Sequence, residues 1–131
     1  QGDILRAVHE GVVFALREGA ESIAAMGTPM TNVRVVGGGS RSHLWCQMLA
    51  DNLGMEVWSP LVDEGAGYGS ARLAANAVGM DTAGWVKLVE RYEPDVARGR
   101  EYTSWFGEYK ELYRALQDRF KMSARLSAQH S

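Results

Sequence analysis

The feature that most constrains this chain is a run of three glycines. In "VRVVGGGSRSHLWCQMLADNLG", residues 33–54, they separate a short β-branched stretch from an amphipathic segment. Valines 33, 35 and 36 favour a buried strand. From residue 42 to 53, Leu44, Trp45, Met48, Leu49 and Leu53 recur at helical spacing, and Gly54 closes the segment. A strand that runs through Gly37, Gly38 and Gly39 into a helix places bare backbone at the carboxyl end of that strand. In open α/β sheets this crevice is where ligands sit. Ser40 and Ser42 are N-cap residue types at the mouth of the helix, where unpaired N–H groups favour polar or anionic partners. The stretch lacks the GxGxxG spacing, and no GK[ST] follows, so two common phosphate-loop signatures are excluded. On the residues alone, a ligand-binding ledge and a plain serine-capped turn remain equally good readings.

The flanking segments alternate. Ile4, Leu5, Val8, Val12, Ala15, Leu16, Ile23 and Met26 predict a first helix, opened by Asp3 and closed by Gly27 and Pro29. Residues 55–58 predict a second strand, stopped by Pro60. Residues 66–77 form a small-residue helix, able to pack closely against a neighbour. Asp63 and Glu64 precede it and suit its N-terminus electrostatically. Asp81 or Thr82 caps a short helix through Trp85, Leu88 and Val89, and Pro94 breaks the chain. Tyr102, Trp105, Phe106, Tyr109, Leu112, Tyr113, Leu116 and Phe120 mark a long last helix, with a frayed tail from Ser123. The expected order is α-β-α-β-α plus C-terminal helices. Two strands joined by a helix are parallel and right-handed. Two such strands do not make a self-sufficient sheet, so the chain reads as part of a larger α/β domain with an open, self-associating edge at its first strand. Gln1 at the start, with Leu5 already inside a helical pattern, points the same way.

Composition narrows the function classes. The 131 residues carry a formal charge of −2 with pI near 5.9, which gives no footprint for nucleic acid or an anionic membrane. The apolar runs fall far short of the ~18 residues that a spanning helix needs. The one cysteine, Cys46, fits a reducing, cytoplasmic setting and reads as a structural thiol. His9, His43 and His130 have no metal-ligand spacing, and His9 reads as a polar or packing residue of its helix. Arg91, Arg98 and Arg100 suit solvated element ends better than a phosphate site.

Taken together, the pieces resemble the C-terminal lobe of the FGGY carbohydrate kinases, and within that family most closely its xylulokinase branch. "ILRAVHEGVVFALREG" resembles the helix that leads into this lobe. "VVGGGSRSHLWCQMLADNLGMEV" resembles the adenosine-binding strand-loop-helix-strand, "EGAGYGSARLAA" the Gly-Ala helix after it, and "YTSWFGEYKELYRAL" the closing helix. The similarity covers residues 3–120. One departure is His9, at a position usually apolar in the leading-helix signature; the upstream half of that signature is absent.

The resemblance implies a partial C-terminal lobe of the actin-like, ribonuclease-H-like ATPase fold over residues 1–131, without the N-terminal sugar-binding lobe. It implies ATP and Mg²⁺ as cofactors, a pentulose as acceptor (ATP + D-xylulose → ADP + D-xylulose 5-phosphate), and a homo-oligomer. The aspartate general base and the phosphate loops lie upstream, so no catalytic residue and no metal ligand is carried over, and this chain by itself is expected to be inert. What carries over is nucleotide binding by Gly37, Gly38, Gly39, Ser40 and Ser42. Gly38 and Gly39 match the backbone that passes adenine and ribose, Gly37 makes the turn, and Ser42 matches a polar position at the purine edge. Glu64 and residues 66–74 support the lobe. Gly39→Val is then expected to raise the KM for ATP with little change for sugar. Kinases for ribulose, gluconate or glycerol, a non-catalytic nucleotide-binding module, and an assembly domain built on the aromatic stripe remain open alternatives.

Overall fold

The computed structural model describes residues 2–61 and 65–128. Helix α1 spans Gly2–Ala25, strand β1 Asn32–Arg34, helix α2 His43–Leu53, strand β2 Glu56–Pro60, helix α3 Gly65–Ala77, strand β3 Leu88–Tyr92 and helix α4 Val96–Ala128. The sheet order is β1-β2-β3. β1 pairs parallel with β2, with Val33 opposite Val57, as a strand-helix-strand unit requires. The ladder continues one step past β1, where Val35 N–H donates to the Trp58 carbonyl at 2.9 Å. β1 is an edge strand of the described sheet, as expected.

The segment after α3 corrects the expected short helix. Residues 88–92 are a strand, antiparallel to β2, with Val57 opposite Tyr92. Trp85, Leu88 and Val89 do fall at helical spacing. The deciding pattern is the alternation of Leu88, Glu90 and Tyr92, whose side chains lie on the better-covered face. Asp81 caps a turn instead, its carboxylate accepting from Ala83 N–H at 2.9 Å. Thr82 is buried and donates to Asn76 Oδ1 at the end of α3. The tail is also corrected: α4 remains helical to Ala128 rather than fraying from Ser123. The expected capping and support roles of Asp63 and Glu64, and His130, lie outside the described residues.

Alternation along β1 assigns the two faces of the sheet. Val33 and Val35 pack on the main core, whereas Arg34 and Val36 border a cleft beneath α3. That core joins Val13 and Phe14 of α1, Cys46, Met48, Leu49 and Ala50 of α2, Val57, Tyr92, and Tyr102 and Phe106 of α4. The other face is thinly covered. α3 stands off it, leaving a cleft of about 410 Å³ between Val36, Pro60, Tyr68 and Trp85. The small residues of α3 were expected to allow close packing, yet a Cβ added at Gly67 or Gly69 meets nothing within 4 Å among the described residues.

Close packing is found elsewhere, at Gly99. A Cβ there would lie 3.0 Å from the Asp51 carbonyl oxygen, so a bare position lets α4 approach the end of α2.

Asn52 breaks the rule that buried polar groups are paired. It follows Met48 and Leu49 by four and three residues, so it lies on the apolar stripe of α2. It is 3 % exposed, and neither its Oδ1 nor its Nδ2 has a hydrogen-bond partner among the described residues. Leucine has nearly the same branched shape. Asn52→Leu is expected to stabilise the chain by about 1–2 kcal/mol in urea unfolding, by removing the desolvation cost of an unpaired amide. A loss of stability would mean that the amide is paired in solution.

Candidate nucleotide-binding loop

The glycine run forms a pinned loop at the carboxyl end of β1. Gly37 has φ +84° and ψ −172°, a region that only glycine occupies freely. Gly38–Arg41 then make one 3₁₀ turn, with Ser40 N–H donating to the Gly37 carbonyl at 3.0 Å and Ser42 N–H to the Gly39 carbonyl at 3.1 Å. Ser40 is buried, and its hydroxyl also donates to the Gly37 carbonyl, at 2.8 Å. From β2, Ser59 Oγ donates to the Ser40 carbonyl at 3.3 Å. Cys46 Sγ lies 3.8 Å from the Gly39 oxygen and 3.7 Å from the Ser40 oxygen. Burial pushes the Cys46 thiol pKa up, which favours the S–H donor over the thiolate and agrees with a structural cysteine.

Ser42 is the N-cap of α2. Its side chain accepts from Trp45 N–H at 3.3 Å, and Gly54 closes the helix in the left-handed conformation. Both ends of α2 were therefore readable from the residues. Gly37 and Gly38 leave an open rim. A Cβ on Gly38 would meet nothing within 4 Å, whereas one on Gly39 would lie 3.0 Å from Nε1 and 3.1 Å from Cδ1 of Trp45. The Trp45 ring thus backs the loop. His9 holds it from behind, with ring centroids 5.6 Å apart in an edge-to-face arrangement, while His9 Nδ1 lies 2.7 Å from the Leu5 carbonyl oxygen. His9 is the packing residue that its place on the helix suggested. Sequence reasoning missed this role of Trp45; its signal is an aromatic residue one turn into the helix behind a glycine run.

A second tie holds the first turn of α2 to β3. Tyr92 Oη donates to Glu90 Oε2 at 2.5 Å and lies 3.1 Å from His43 Nδ1. Burial and the Glu90 carboxylate raise the tyrosine pKa, so the hydroxyl stays a neutral donor. The three arginines are not brought together. Arg91 pairs with Glu56 and Glu93, Arg98 with Asp51 and Asp95, and Arg100 borders a separate cavity near Asn52. Among the described residues no group of three or more His, Cys, Asp or Glu could hold a metal. No described helix is long and apolar enough to cross a membrane.

The backbone at Gly37 makes one direct test. Gly37→Ala is expected to cost about 1–3 kcal/mol in urea unfolding, whereas Gly38→Ala should stay within about 0.5 kcal/mol. Equal effects would place the loop in another conformation.

A glycine ledge at a parallel strand's carboxyl end is shared by several nucleotide-binding folds, and comparison with known proteins decides among them. Residues 1–78 match the model of the C-terminal domain of the FGGY family of carbohydrate kinases. The chain belongs to the FGGY family. The xylulose kinase of Escherichia coli is 33 % identical over 120 residues, covering 87 % of this chain and 25 % of that protein. A glycerol kinase of Gloeobacter violaceus is 41 % identical over 92 residues, covering 69 % of this chain and 18 % of that protein. The crystal structure of a xylulose kinase from Rhodospirillum rubrum superposes with a TM-score of 0.79 at 28 % identity, over 92 % of this chain and 26 % of that one. This FGGY chain therefore spans about a quarter of the length of such relatives. The fold class that the resemblance implied is the one found, a partial lobe of the actin-like ATPase fold.

Proposed function

We propose that this chain is the C-terminal part of the nucleotide-binding domain of an ATP-dependent sugar kinase and supplies the adenosine side of its ATP site. The observation that carries this reading is the pinned loop. Gly37 turns the chain, Gly38 leaves space that a Cβ would enter, and Ser42 stands exposed beside it at the start of α2. A purine has flat faces and few polar edges, so a bare ledge with one hydroxyl suits it. The hydroxyl of Ser40 is turned inward, which leaves Ser42 as the better candidate for the purine edge.

Xylulose is the acceptor that the relatives favour, since xylulose kinases recur among them at 87 % coverage of this chain. The reaction would be transfer of the ATP γ-phosphoryl group to a hydroxyl of D-xylulose, giving D-xylulose 5-phosphate and ADP. Glycerol, gluconate and ribulose are the alternative acceptors. When bound, Mg²⁺ neutralises phosphate charge in such transfers. The described residues offer it no cluster of ligands, so the part played by this chain is to bind and orient the base and ribose. A cytoplasmic setting accords with the reading.

The test is an ATP titration followed by the backbone amide signals of residues 37–42, run beside Gly38→Val. Valine at Gly38 has open space and Gly39→Val would press on Trp45, so the former reports on the ligand with less disturbance of the fold. Saturable shifts confined to the loop, weakened at least about tenfold in the variant, are expected. Shifts that survive the variant unchanged would overturn the ledge. In the longer protein that carries this chain, sugar-dependent ADP release with xylulose set against ribulose, glycerol and gluconate tests the acceptor.

A further inference from the structure

The cleft beneath α3 carries positive charge that no acid answers. One wall is a single face of α3, where Gly65, Tyr68, Gly69 and Arg72 recur at intervals of three and four residues. Across it lie Arg34, Val36 and the segment 85–87 that leads into β3. The chain as a whole has a net charge of −2, yet the described residues lining this cleft include Arg34, Arg72 and Lys87 and no carboxylate. None of these three side chains has an ion pair or hydrogen bond among the described residues. Arg6, Arg17, Arg91, Arg98 and Arg114, by contrast, each have a carboxylate partner.

Arg72 has the strongest need of a partner. It is half-buried, and its Nε is buried without an acceptor. A guanidinium N–H shut away from water is costly to leave unmatched. The rest of the cleft is apolar and aromatic. Tyr68 Oη donates to the Trp85 carbonyl, and the two rings stand 6.3 Å apart. Val36 and Leu61 are exposed there. A Cβ added at Gly69 would meet nothing within 4 Å, so space is open on this face of α3. The volume of about 410 Å³ lies in the range of small-molecule sites.

We propose that this cleft binds a small aromatic phosphate, its flat ring against Tyr68, Trp85 and Val36 and its phosphate toward Arg34, Arg72 and Lys87. A carboxylate would bring one negative charge to three cations. A phosphate ester brings nearly two and three acceptor oxygens, and its oxygens suit a guanidinium fork. It would supply the acceptor that Arg72 Nε lacks. The cleft is on the sheet face away from α2 and uses none of residues 37–42, so it stands or falls separately from the nucleotide ledge.

The probe is 1-naphthyl phosphate, titrated into the 131-residue chain and followed by the amide signals of residues 65–72 and 85–87 and the Trp85 indole N–H. Saturable shifts there are expected, weakened at least about fivefold by Arg34→Gln, Arg72→Gln or Lys87→Gln. Gly69→Leu, which puts a side chain into the open space, should abolish them. Arg34 and Lys87 are exposed, and leucine favours a helix more than glycine does, so these variants keep the fold. Inorganic phosphate and 1-naphthol, the two halves of the probe, should each bind at least about tenfold more weakly. Absence of shifts at millimolar probe overturns the proposal, as does binding that ignores the three cation variants. If 1-naphthol binds as well as its phosphate, the cleft is a plain apolar crevice and the charge argument fails. If inorganic phosphate does so, the aromatic seat fails. Shifts confined to residues 37–42 and lost in Gly38→Val would put the probe on the glycine ledge and overturn the cleft while supporting the ledge.

Discussion

Phe106→Ala is expected to cost about 3–5 kcal/mol, enough to leave the chain largely unfolded under ordinary conditions. Phe106 is 2 % exposed and belongs to the core cluster shared by both long helices, α2 and the sheet. Its ring lies 5.8 Å from Phe14 and is stacked with Tyr109 at 6.3 Å. The Arg17 guanidinium and the Lys110 ammonium lie over it at 4.5 and 4.4 Å, so truncation removes two cation–π contacts along with the core volume. Trp105, its neighbour in the sequence, is 66 % exposed. Trp105→Ala should change stability by no more than about 0.5 kcal/mol. Urea unfolding of the pair decides the matter: similar losses at both positions would mean that α4 presents another face to α1 and α2.

Asp51→Ala is expected to cost about 3 kcal/mol, beside a residue whose replacement stabilises. Asp51 is 2 % exposed at the end of α2. Its Oδ1 accepts from Gln47 Nε2 at 2.7 Å and from the backbone N–H of Asp95 at 2.8 Å, and Arg98 Nε lies 3.4 Å from Oδ2. Removing the carboxylate leaves donors unpaired where α4 begins, and each carries a desolvation cost of about 1–3 kcal/mol. Asp51→Asn keeps the shape and one acceptor, so it should lose less. The comparison with Asn52→Leu isolates the cause. Both residues are buried on one helix, and they differ in whether their polar atoms are matched. Changes of opposite sign under chemical denaturation are the expected outcome; destabilisation of the same size at both would attribute the effect to helix packing.

Local chemistry made much of this molecule legible. Ser42 and Gly54 bracket α2 because capping is settled by a few neighbouring groups. Gly37 announced a turn because φ +84° is a property of one residue. The parallel pairing of β1 and β2 follows from chain handedness and a helix-length connection. Among the nucleotide-loop candidates the resemblance already set Ser42 ahead of Ser40, yet the residue types alone gave no reason for that order. Ser40 and Ser42 look alike in the sequence, and only the fold turns the first inward toward Gly37 and leaves the second at the helix mouth.

What the tertiary structure decided involves partners distant in the chain. Residues 88–92 became a strand because β2 offered an antiparallel edge, a contact across about thirty residues that outweighs a three-residue helical pattern. Gly99 matters because the Asp51 carbonyl comes within 3.0 Å of where its Cβ would be. The aromatic stripe of α4 divides into a buried half and an exposed half because α1 reaches only the first. Periodicity shows that a helix has an apolar face. How far that face is covered depends on the length and placement of the elements that pack against it.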